Sequence, residues 1–300
     1  ISQCVISFGS NLGDRRELLA TAADRIASWD VYSDGERLRT SRLYETPPIG
    51  GPGGQEAFLN AIGVFQTRRP AVEILDRLQQ LEAELGRERR RRWDARSIDL
   101  DVVLHGNLVG GATGLVVPHP RYTARQFVLL PACDVAADLR DPRFGWTLRQ
   151  LSAHLVAGTP SLALVTGRKE LREMLCQRLA AEHGIAGLTV DPVSRRPNVE
   201  TLDPDRPWVC SSLPSLPGAS EMPSLSSEQQ RFLPRLLVRI QQTGATTNWP
   251  APHLMWPNGW NWPEYRLELD DPDWAVSELA SALESMRCSA EPASEDGQWW

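Results

Sequence analysis

Short apolar runs and segments with helical spacing of apolar residues follow one another along the first half of the chain. The stretch CVISFGSN (residues 4–11) is a short apolar run that ends in a Gly-Ser-Asn turn, which indicates a buried strand. Residues 14–29 follow with apolar positions three or four apart, which is typical of an amphipathic helix. The chain therefore opens with a strand followed by a helix.

The same mixture of elements continues to about residue 158. The predicted elements are, in chain order, an extended segment near 37–44, a Pro/Gly-rich loop at 46–55, a strand at 57–66, a helix from Pro70 to Gly86, a strand at 97–106, a glycine-rich hairpin, and a short helix within 116–136. Strands and helices mixed with antiparallel hairpins indicate an α+β domain. We therefore expect residues 1–158 to form one domain of this class.

The second half differs in composition and predicts a second domain at 159–288, α/β in class. Residues 161–185 read as strand, turn and helix, and residues 209–230 form a Pro/Ser-rich stretch that predicts a loop. Four tryptophans and four prolines lie within residues 248–265, and a final helix is predicted at 271–286. We expect residues 289–300 to be a solvated tail.

Composition places the chain among ordinary soluble proteins. It has 300 residues, 41% of them hydrophobic, and a formal net charge of −6, so it can hold two domains with sizeable cores. No apolar run approaches the roughly 20 residues of a membrane span. The five cysteines are scattered and form no CxxC pair, which disfavours disulfides and zinc sites. We expect a cytoplasmic protein with no membrane partner.

Two aspartates on the predicted strand at 97–106 suggest a metal site. Residues two apart on a strand point to the same face, so Asp99 and Asp101 project together. Adjacent carboxylates repel unless a cation lies between them, and Mg²⁺ binds one or two carboxylates together with substrate phosphates. Two solvated acids on an edge strand are the alternative interpretation.

An arginine-rich stretch directly precedes this strand, with six arginines between residues 87 and 96. Phosphate groups bind cationic side chains, so arginines beside two carboxylates favour a polyphosphate with its metal. A basic stretch also occurs in nucleic-acid-binding proteins, but the acidic net charge disfavours long polyanions as partners. A purely solvated charged loop is the third possibility.

Four motifs give the first half a specific resemblance. They are FGSNLGDR (8–15), SRLYETPPIGG with FLNA (41–51 and 58–61), ELGRERRRRWDARSIDLDVVLHG (84–106) and VPHPRYTARQFVLLP (117–131). In this order and at this spacing they resemble the 6-hydroxymethyl-7,8-dihydropterin pyrophosphokinase family of folate biosynthesis, over about residues 1–158. The resemblance implies a ferredoxin-like α/β/α layered domain with a mostly antiparallel sheet. It also implies transfer of pyrophosphate from ATP to the pterin, with AMP as the second product.

The resemblance further implies roles for individual residues. Catalysis would involve Arg87, Trp93, Arg96, Asp99 and Asp101, with Asp99 and Asp101 holding two Mg²⁺ ions. The ATP-binding positions would be Gln79, Glu82, Arg87, Arg96, His119 and Arg125. The pterin-binding positions would be Thr46, Pro47, Ile49, Phe58, Asn60, Trp93 and Phe127. The amide of Asn60 offers a donor and an acceptor to the edge of a pterin, and the Phe127 ring offers a face for stacking.

Two departures from the family pattern concern the nucleotide. Many relatives have Gly-Pro between the tryptophan and the arginine of the WxxR segment, where this chain has Asp94 and Ala95. The hairpin before VVPHP carries glycines where some relatives have an arginine. A non-catalytic pterin- or nucleotide-binding scaffold is therefore one alternative function, and a nucleic-acid-binding protein that uses the arginine loop is the other.

The role of the second half is open at the level of sequence. VTGRKEL (165–171) lies between a predicted strand and helix but does not meet the Walker pattern, because no glycine lies five residues before Gly167. A degenerate nucleotide-kinase-like domain and a packing or oligomerisation module are the two alternatives. The second of these predicts a homo-oligomer formed through residues 159–288.

Overall fold

Secondary structure in the first half follows the predicted order, and a further helix that was not predicted ends it. The elements are β1 (Ser2–Ser10), α1 (Arg15–Ala27), β2 (Arg39–Thr40), β3 (Tyr44–Thr46), β4 (Phe58–Thr67), α2 (Ala71–Glu84), β5 (Asp99–His105), β6 (Gly110–Ala112), β7 (Leu115–Val117), a 3₁₀ turn (Tyr122–Ala124), α3 (Gln126–Val135) and α4 (Leu148–Val156). The structure is a computed structural model that describes residues 1–50, 54–87, 97–112, 114–198, 203, 205–217, 225–231, 233–242, 262–269 and 271–300.

The second half adds a parallel sheet. Its elements are β8 (Ser161–Leu164), α5 (Lys169–His183), β9 (Ala186–Leu188), β10 (Trp208–Cys210), α6 (Ser227–Gln230), β11 (Leu236–Gln242), β12 (Glu264–Leu269), α7 (Pro272–Ser285) and β13 (Glu291–Pro292). Five of these strands form one sheet in the order β12-β11-β8-β10-β9, and its neighbouring strands pair in parallel. The first strand of this half therefore lies in the middle of its sheet.

The sheet of the first half is antiparallel and has six strands. Its order is β13-β3-β4-β1-β5, and β2 also pairs with β4. Strands β6 and β7 form a separate hairpin, as the glycine-rich stretch predicted. The mixed α/β composition and the antiparallel sheet confirm the prediction at that level.

The two faces of this sheet pack against different helices. Cys4, Ile6 and Phe8 of β1 lie in one apolar cluster with the buried residues of α1 and α2. Val5 faces the other way, into a cluster that contains Val128 and Leu129 of α3. The alternation along β1 follows from the two-residue period of a strand.

That second cluster also joins the two halves of the chain. It contains residues of α3 and α4 together with Leu162 of β8, Leu236 of β11 and Leu279 of α7. Burial of apolar area is the main favourable contribution to folding, and here one buried cluster draws on both sheets. The two halves are therefore packed through a shared apolar core.

A buried group of charges lies at the same junction. Glu264 of β12 accepts from Arg143 (3.2 Å), Arg266 (2.8 Å) and Arg239 (3.5 Å), and all four residues are buried. Arg143 also pairs with the buried Asp141 at 2.5 Å. Burial alone would raise the pKa of Glu264, but the three arginines outweigh it and lower the pKa to about 2. Glu264 is therefore ionised at neutral pH.

Residues 289–300 were expected to be a solvated tail, and the structure differs. Strand β13 pairs with β3, and Trp299 is 7% exposed, with its ring 6.0 Å from that of Phe8. The Trp299 indole Nε1 donates to Ser41 O at 2.7 Å, and the Leu43 N–H donates to the Ser294 hydroxyl at 2.8 Å. The segment thus adds a strand and a buried aromatic ring to the first sheet, a contact between residues more than 240 positions apart.

No helix among the described ranges is long and apolar enough to cross a lipid bilayer.

We expect Glu264→Gln to lower the free energy of unfolding by roughly 3–5 kcal/mol at pH 7, because three buried arginines lose their common anion. The unfolded carboxylate binds protons at higher pH than the folded one, so the stabilisation by Glu264 is present above pH 4.5 and is lost as the pH falls towards 2. Urea unfolding of both proteins between pH 7 and 3 measures this. The difference between them should shrink with acidification, whereas the exposed control Glu36→Gln should match wild type throughout. A difference that does not depend on pH would contradict the role of the Glu264 charge.

Trp299→Ala should lower the free energy of unfolding by roughly 3–5 kcal/mol, since it removes a large buried ring. Trp300→Ala is a matched control, because Trp300 is 38% exposed. Trp299→Phe should recover part of the loss. A denaturation midpoint of Trp299→Ala equal to that of wild type would show that the packing of Trp299 contributes nothing.

Candidate active site

Three neighbouring strands place the central polar residues of the site side by side. Gly9 of β1 lies opposite Asn60 of β4 and opposite Asp99 of β5. A Cβ added at Gly9 would lie 3.4 Å from the Asn60 Oδ1 atom and 3.8 Å from the Asp99 Cβ atom. Because residues directly opposite each other share a face, Asn60 and Asp99 point the same way across a glycine that leaves the space between them open.

A cavity opens over this face. It encloses about 650 Å³, a volume that includes its open mouth. Its lining residues are Gly9, Thr46, Pro47, Ile49, Gly50, Gln55, Phe58, Asn60, Asp99, Arg125 and Phe127. Every predicted pterin-binding residue that the structure describes lies in this list, together with one predicted metal ligand and one predicted phosphate-binding arginine.

Asn60 is held in one orientation by a buried hydrogen bond. Its amide Nδ2 donates to the Thr46 hydroxyl at 2.8 Å, and both residues are buried. Thr46 ends β3 and Asn60 lies within β4, so strand pairing brings the two side chains together. The Asn60 carbonyl oxygen is left on the side of Gly9, where it faces the cavity.

Asp99 and Asp101 lie at the start of β5 with the buried Leu100 between them. Their side chains remain partly open to solvent while Leu100 is buried, which is the alternation that the two-residue spacing predicted. Arg87 Nη2 lies 2.8 Å from Asp99 Oδ1, and His119 Nε2 lies 4.0 Å from Asp101 Oδ2. Among the described residues, Arg87 therefore forms an ion pair with Asp99, whereas His119 lies near Asp101 but beyond hydrogen-bond distance.

Glu82 lies behind this strand rather than in the cavity. Its side chain is 2% exposed, and its Oε1 atom accepts from the backbone N–H of Leu100 at 2.7 Å and from Arg87 Nη1. Burial raises the pKa of Glu82 to about 7, against the opposing effects of these two donors. Glu82 thus links the end of α2, Arg87 and β5, and through Arg87 it reaches Asp99.

His119 and Arg125 lie at the two ends of the segment between β7 and α3. The His119 Nδ1 atom accepts from the backbone N–H of Arg121 at 3.2 Å, so the neutral ring carries its proton on Nε2. Burial lowers the pKa of His119 well below its usual value, and Arg125 and Arg121 lower it further. The ring is therefore neutral at pH 7. The Arg125 guanidinium lies 5.6 Å from the centre of the Phe127 ring.

Some predicted site residues lie elsewhere. Trp93 and Arg96 fall outside the described residues, as do Asp94 and Ala95, where the chain departs from the family pattern. Gln79 is half-buried on α2 and does not line the cavity.

Sequence reasoning missed three lining residues: Gly9, Gly50 and Gln55. Gly9 and Gly50 lie inside motifs already singled out, but a glycine offers no functional group to signal a role. Gln55 accepts from the buried Asn11 amide at 3.1 Å, and nothing in the local sequence indicates that contact.

Comparison with known proteins identifies the family of the chain. Residues 5–137 match the model of the 7,8-dihydro-6-hydroxymethylpterin-pyrophosphokinase (HPPK) family. A 2-amino-4-hydroxy-6-hydroxymethyldihydropteridine pyrophosphokinase from Pseudomonas aeruginosa is 37% identical over 142 residues, which is 47% of this chain and 85% of the relative. The chain belongs to the HPPK family.

Other relatives match over a similar share of the chain. The enzyme of the same name from Haemophilus influenzae is 37% identical over 134 residues, 45% of this chain and 81% of that protein. The folic acid synthesis protein fol1 of Pneumocystis carinii is 37% identical over 143 residues, 48% of this chain but 19% of fol1. An HPPK-DHPS crystal structure in complex with substrates aligns at a TM-score of 0.39 and 13% identity, over 50% of this chain and 42% of that one, which is too distant to bear on the fold.

The position of Glu82 predicts a graded response to substitution. Glu82→Ala removes the acceptor of the Leu100 N–H and frees Arg87, so we expect it to lower the free energy of unfolding by roughly 1–3 kcal/mol and to reduce activity. Glu82→Gln keeps an acceptor oxygen and should be affected less. Thermal unfolding and AMP release measure the two effects, with the more exposed Glu84→Gln as the control for a lost charge on the same helix. Equal behaviour of Glu82→Ala and Glu84→Gln would contradict the linking role.

Proposed function

We propose that this cavity is the active site for the reaction of the HPPK family. In this reaction pyrophosphate is transferred from ATP to 6-hydroxymethyl-7,8-dihydropterin, which is a step of folate biosynthesis. One observation carries the assignment to the cavity. Thr46, Asn60 and Phe127, predicted to bind the pterin, line the same space as Asp99 and Arg125, predicted to bind the metal and phosphates. A transfer between two bound substrates needs their binding groups to meet in this way.

The pterin would occupy the part of the cavity between Asn60 and Phe127. A fixed amide beside a hydroxyl suits the alternating donors and acceptors of a pterin edge, and the Asn60–Thr46 hydrogen bond holds that amide in place. The Phe127 ring offers a stacking face. Pro47, Ile49 and Phe58 supply the apolar walls, and Trp93 is proposed to contribute from outside the described residues.

The triphosphate of ATP would lie towards Asp99 and Asp101. Arg125 lines the cavity, and the neutral His119 has its Nε2–H available to donate to a phosphate oxygen. Arg87, fixed between Glu82 and Asp99, would add a further positive charge. We also assign Arg96, Gln79 and Glu82 to this nucleotide region, with Glu82 acting through Arg87 rather than by direct contact.

Asp99 and Asp101 fit a magnesium site of the kind that is completed by substrate. Within the described residues, no three His, Cys, Asp or Glu side chains lie close enough to hold a metal by themselves. Two carboxylates on one face, open to the phosphate region, match the way Mg²⁺ is bound by one or two carboxylates plus substrate phosphates. When bound, the two ions would neutralise phosphate charge and orient the triphosphate.

The chemistry then needs alignment more than a reactive side chain. The hydroxymethyl oxygen of the pterin attacks the β-phosphorus of ATP, the bond from that phosphorus to the α-phosphate oxygen breaks, and AMP leaves. The hydroxyl proton passes to solvent. Arg125 and Arg87 would stabilise the charge that develops on the transferred and leaving phosphates. We therefore assign no covalent nucleophile.

We propose that residues 1–158 form the pyrophosphokinase domain, with ferredoxin-like α/β/α layering. Helices on opposite faces of its antiparallel sheet support this layering. We propose residues 159–288 as a second, α/β domain related to nucleotide kinases. Its support is a parallel sheet with β8 in the middle, followed by a turn and α5, the arrangement of doubly wound folds. A cytoplasmic location and a homo-oligomer through this domain remain predictions.

The decisive assay is release of AMP from ATP and Mg²⁺ in the presence and absence of the pterin. We expect AMP only with pterin, loss of activity with EDTA, and a decrease in kcat of roughly a hundredfold or more for Asp99→Asn or Asp101→Asn. Asp138→Asn, on the surface, is the matched control. Binding of ATP and pterin without turnover would favour the scaffold alternative.

A further inference from the structure

The segment from His119 to Arg125 contacts two different parts of the protein. His119 and Arg125, at its ends, reach the proposed phosphate region. Between them, Pro120, Arg121 and Thr123 contact the second half of the chain. The segment therefore lies between the proposed ATP site and the α/β part of the protein.

Strand β12 holds the backbone of this segment. The Arg266 N–H donates to the Pro120 carbonyl at 2.9 Å, and the Thr123 hydroxyl donates to the Glu264 carbonyl at 2.8 Å. Thr123 is buried, and so are Glu264 and Arg266. A buried donor or acceptor that loses its hydrogen-bond partner lowers the stability of the fold. The path of the segment therefore depends on residues about 140 positions further along the chain.

Helix α7 holds the side chain of Arg121. The Arg121 Nε atom lies 3.2 Å from Glu278 Oε1, and its guanidinium carbon lies 5.3 Å from the centre of the Trp274 ring. Glu278 is itself fixed, because it is 2% exposed and accepts a hydrogen bond from the Tyr265 hydroxyl. Because a second donor restricts the position of this buried carboxylate, the carboxylate in turn restricts the position of the arginine that it binds.

Arg121 connects this anchor to the site through its own backbone. Its N–H donates to the Nδ1 atom of His119, the bond that places the proton of His119 on Nε2. The chain of contacts therefore runs from Glu278 to Arg121 and from Arg121 to His119, which lies 4.0 Å from Asp101.

We propose that Glu278 is a positioning residue for the ATP site: through Arg121 it fixes the orientation of His119 and the path of the segment that carries Arg125. The inference rests on the proposed function and extends it, because it makes part of the second half a support of the pyrophosphokinase site. Of the proposed pterin-binding residues, Phe127 follows the segment in α3, but Thr46 and Asn60 lie on β3 and β4, and their mutual hydrogen bond does not involve α7. The effect should therefore fall on ATP more than on pterin.

The test uses the full chain and steady-state AMP release, with ATP varied at saturating pterin and pterin varied at saturating ATP. For Glu278→Gln we expect the KM for ATP to rise roughly tenfold and the KM for pterin to change less than about twofold. Glu284→Gln is the matched control, since it makes the same change on an exposed position of α7. It should leave both constants unchanged.

A second set of variants keeps the test valid if Glu278→Gln does not fold. Arg121 is partly exposed, so Arg121→Gln should fold, and it should raise the KM for ATP by a similar factor. Arg121→Lys should recover part of the loss, because it keeps the charge opposite Glu278. In the double variant the two effects should not add, since both substitutions break one contact.

The outcomes separate the inference from the proposed function. A lower melting temperature with an unchanged KM for ATP in Glu278→Gln and Arg121→Gln would mean that the contact only stabilises the junction, and would overturn the inference while the pyrophosphokinase activity stands. Absence of AMP release by the wild-type chain with pterin and Mg²⁺ would overturn the proposed function, and the inference would fall with it.

Discussion

The pairing of β1 with both β4 and β5 is the constraint on which the site depends. It places Asn60, Gly9 and Asp99 in one row across three strands. Because the side-chain period of a strand is two, a slip of one residue in either pairing would turn Asn60 or Asp99 to the opposite face. The proposed pterin and phosphate regions meet only because both registers are fixed.

What fixes those registers is the apolar pattern of the same strands. Cys4, Ile6 and Phe8 are buried beneath α1 and α2, so β1 has one face that cannot be moved to solvent. Glu82 adds a local link, since it accepts the Leu100 N–H at 2.7 Å and binds Arg87. The packing of β1 against α1 and α2 therefore sets the face of the sheet on which Asn60 and Asp99 lie.

Much of this could be predicted from the sequence, because the signals were local. The strand-helix order and the shared face of Asp99 and Asp101 follow from patterns read directly from the chain. The quoted motifs also contain the predicted lining residues Thr46, Pro47, Ile49, Phe58, Asn60 and Phe127. The buried group of charges around Glu264 and the packing of Trp299 against the first sheet could not be predicted in this way. They join residues more than 100 positions apart, and neither Glu264 nor Trp299 differs locally from a solvated residue of its type.

The placement of the two substrates is the central claim, and it is tested most directly by a crystal structure of the chain with Mn²⁺ in place of Mg²⁺, a non-hydrolysable ATP analogue and 6-hydroxymethylpterin. The account predicts anomalous scattering from Mn²⁺ between the phosphates and the pair Asp99 and Asp101, with the pterin ring between Asn60 and Phe127. Metal bound away from these aspartates, or a pterin outside the cavity, would contradict it.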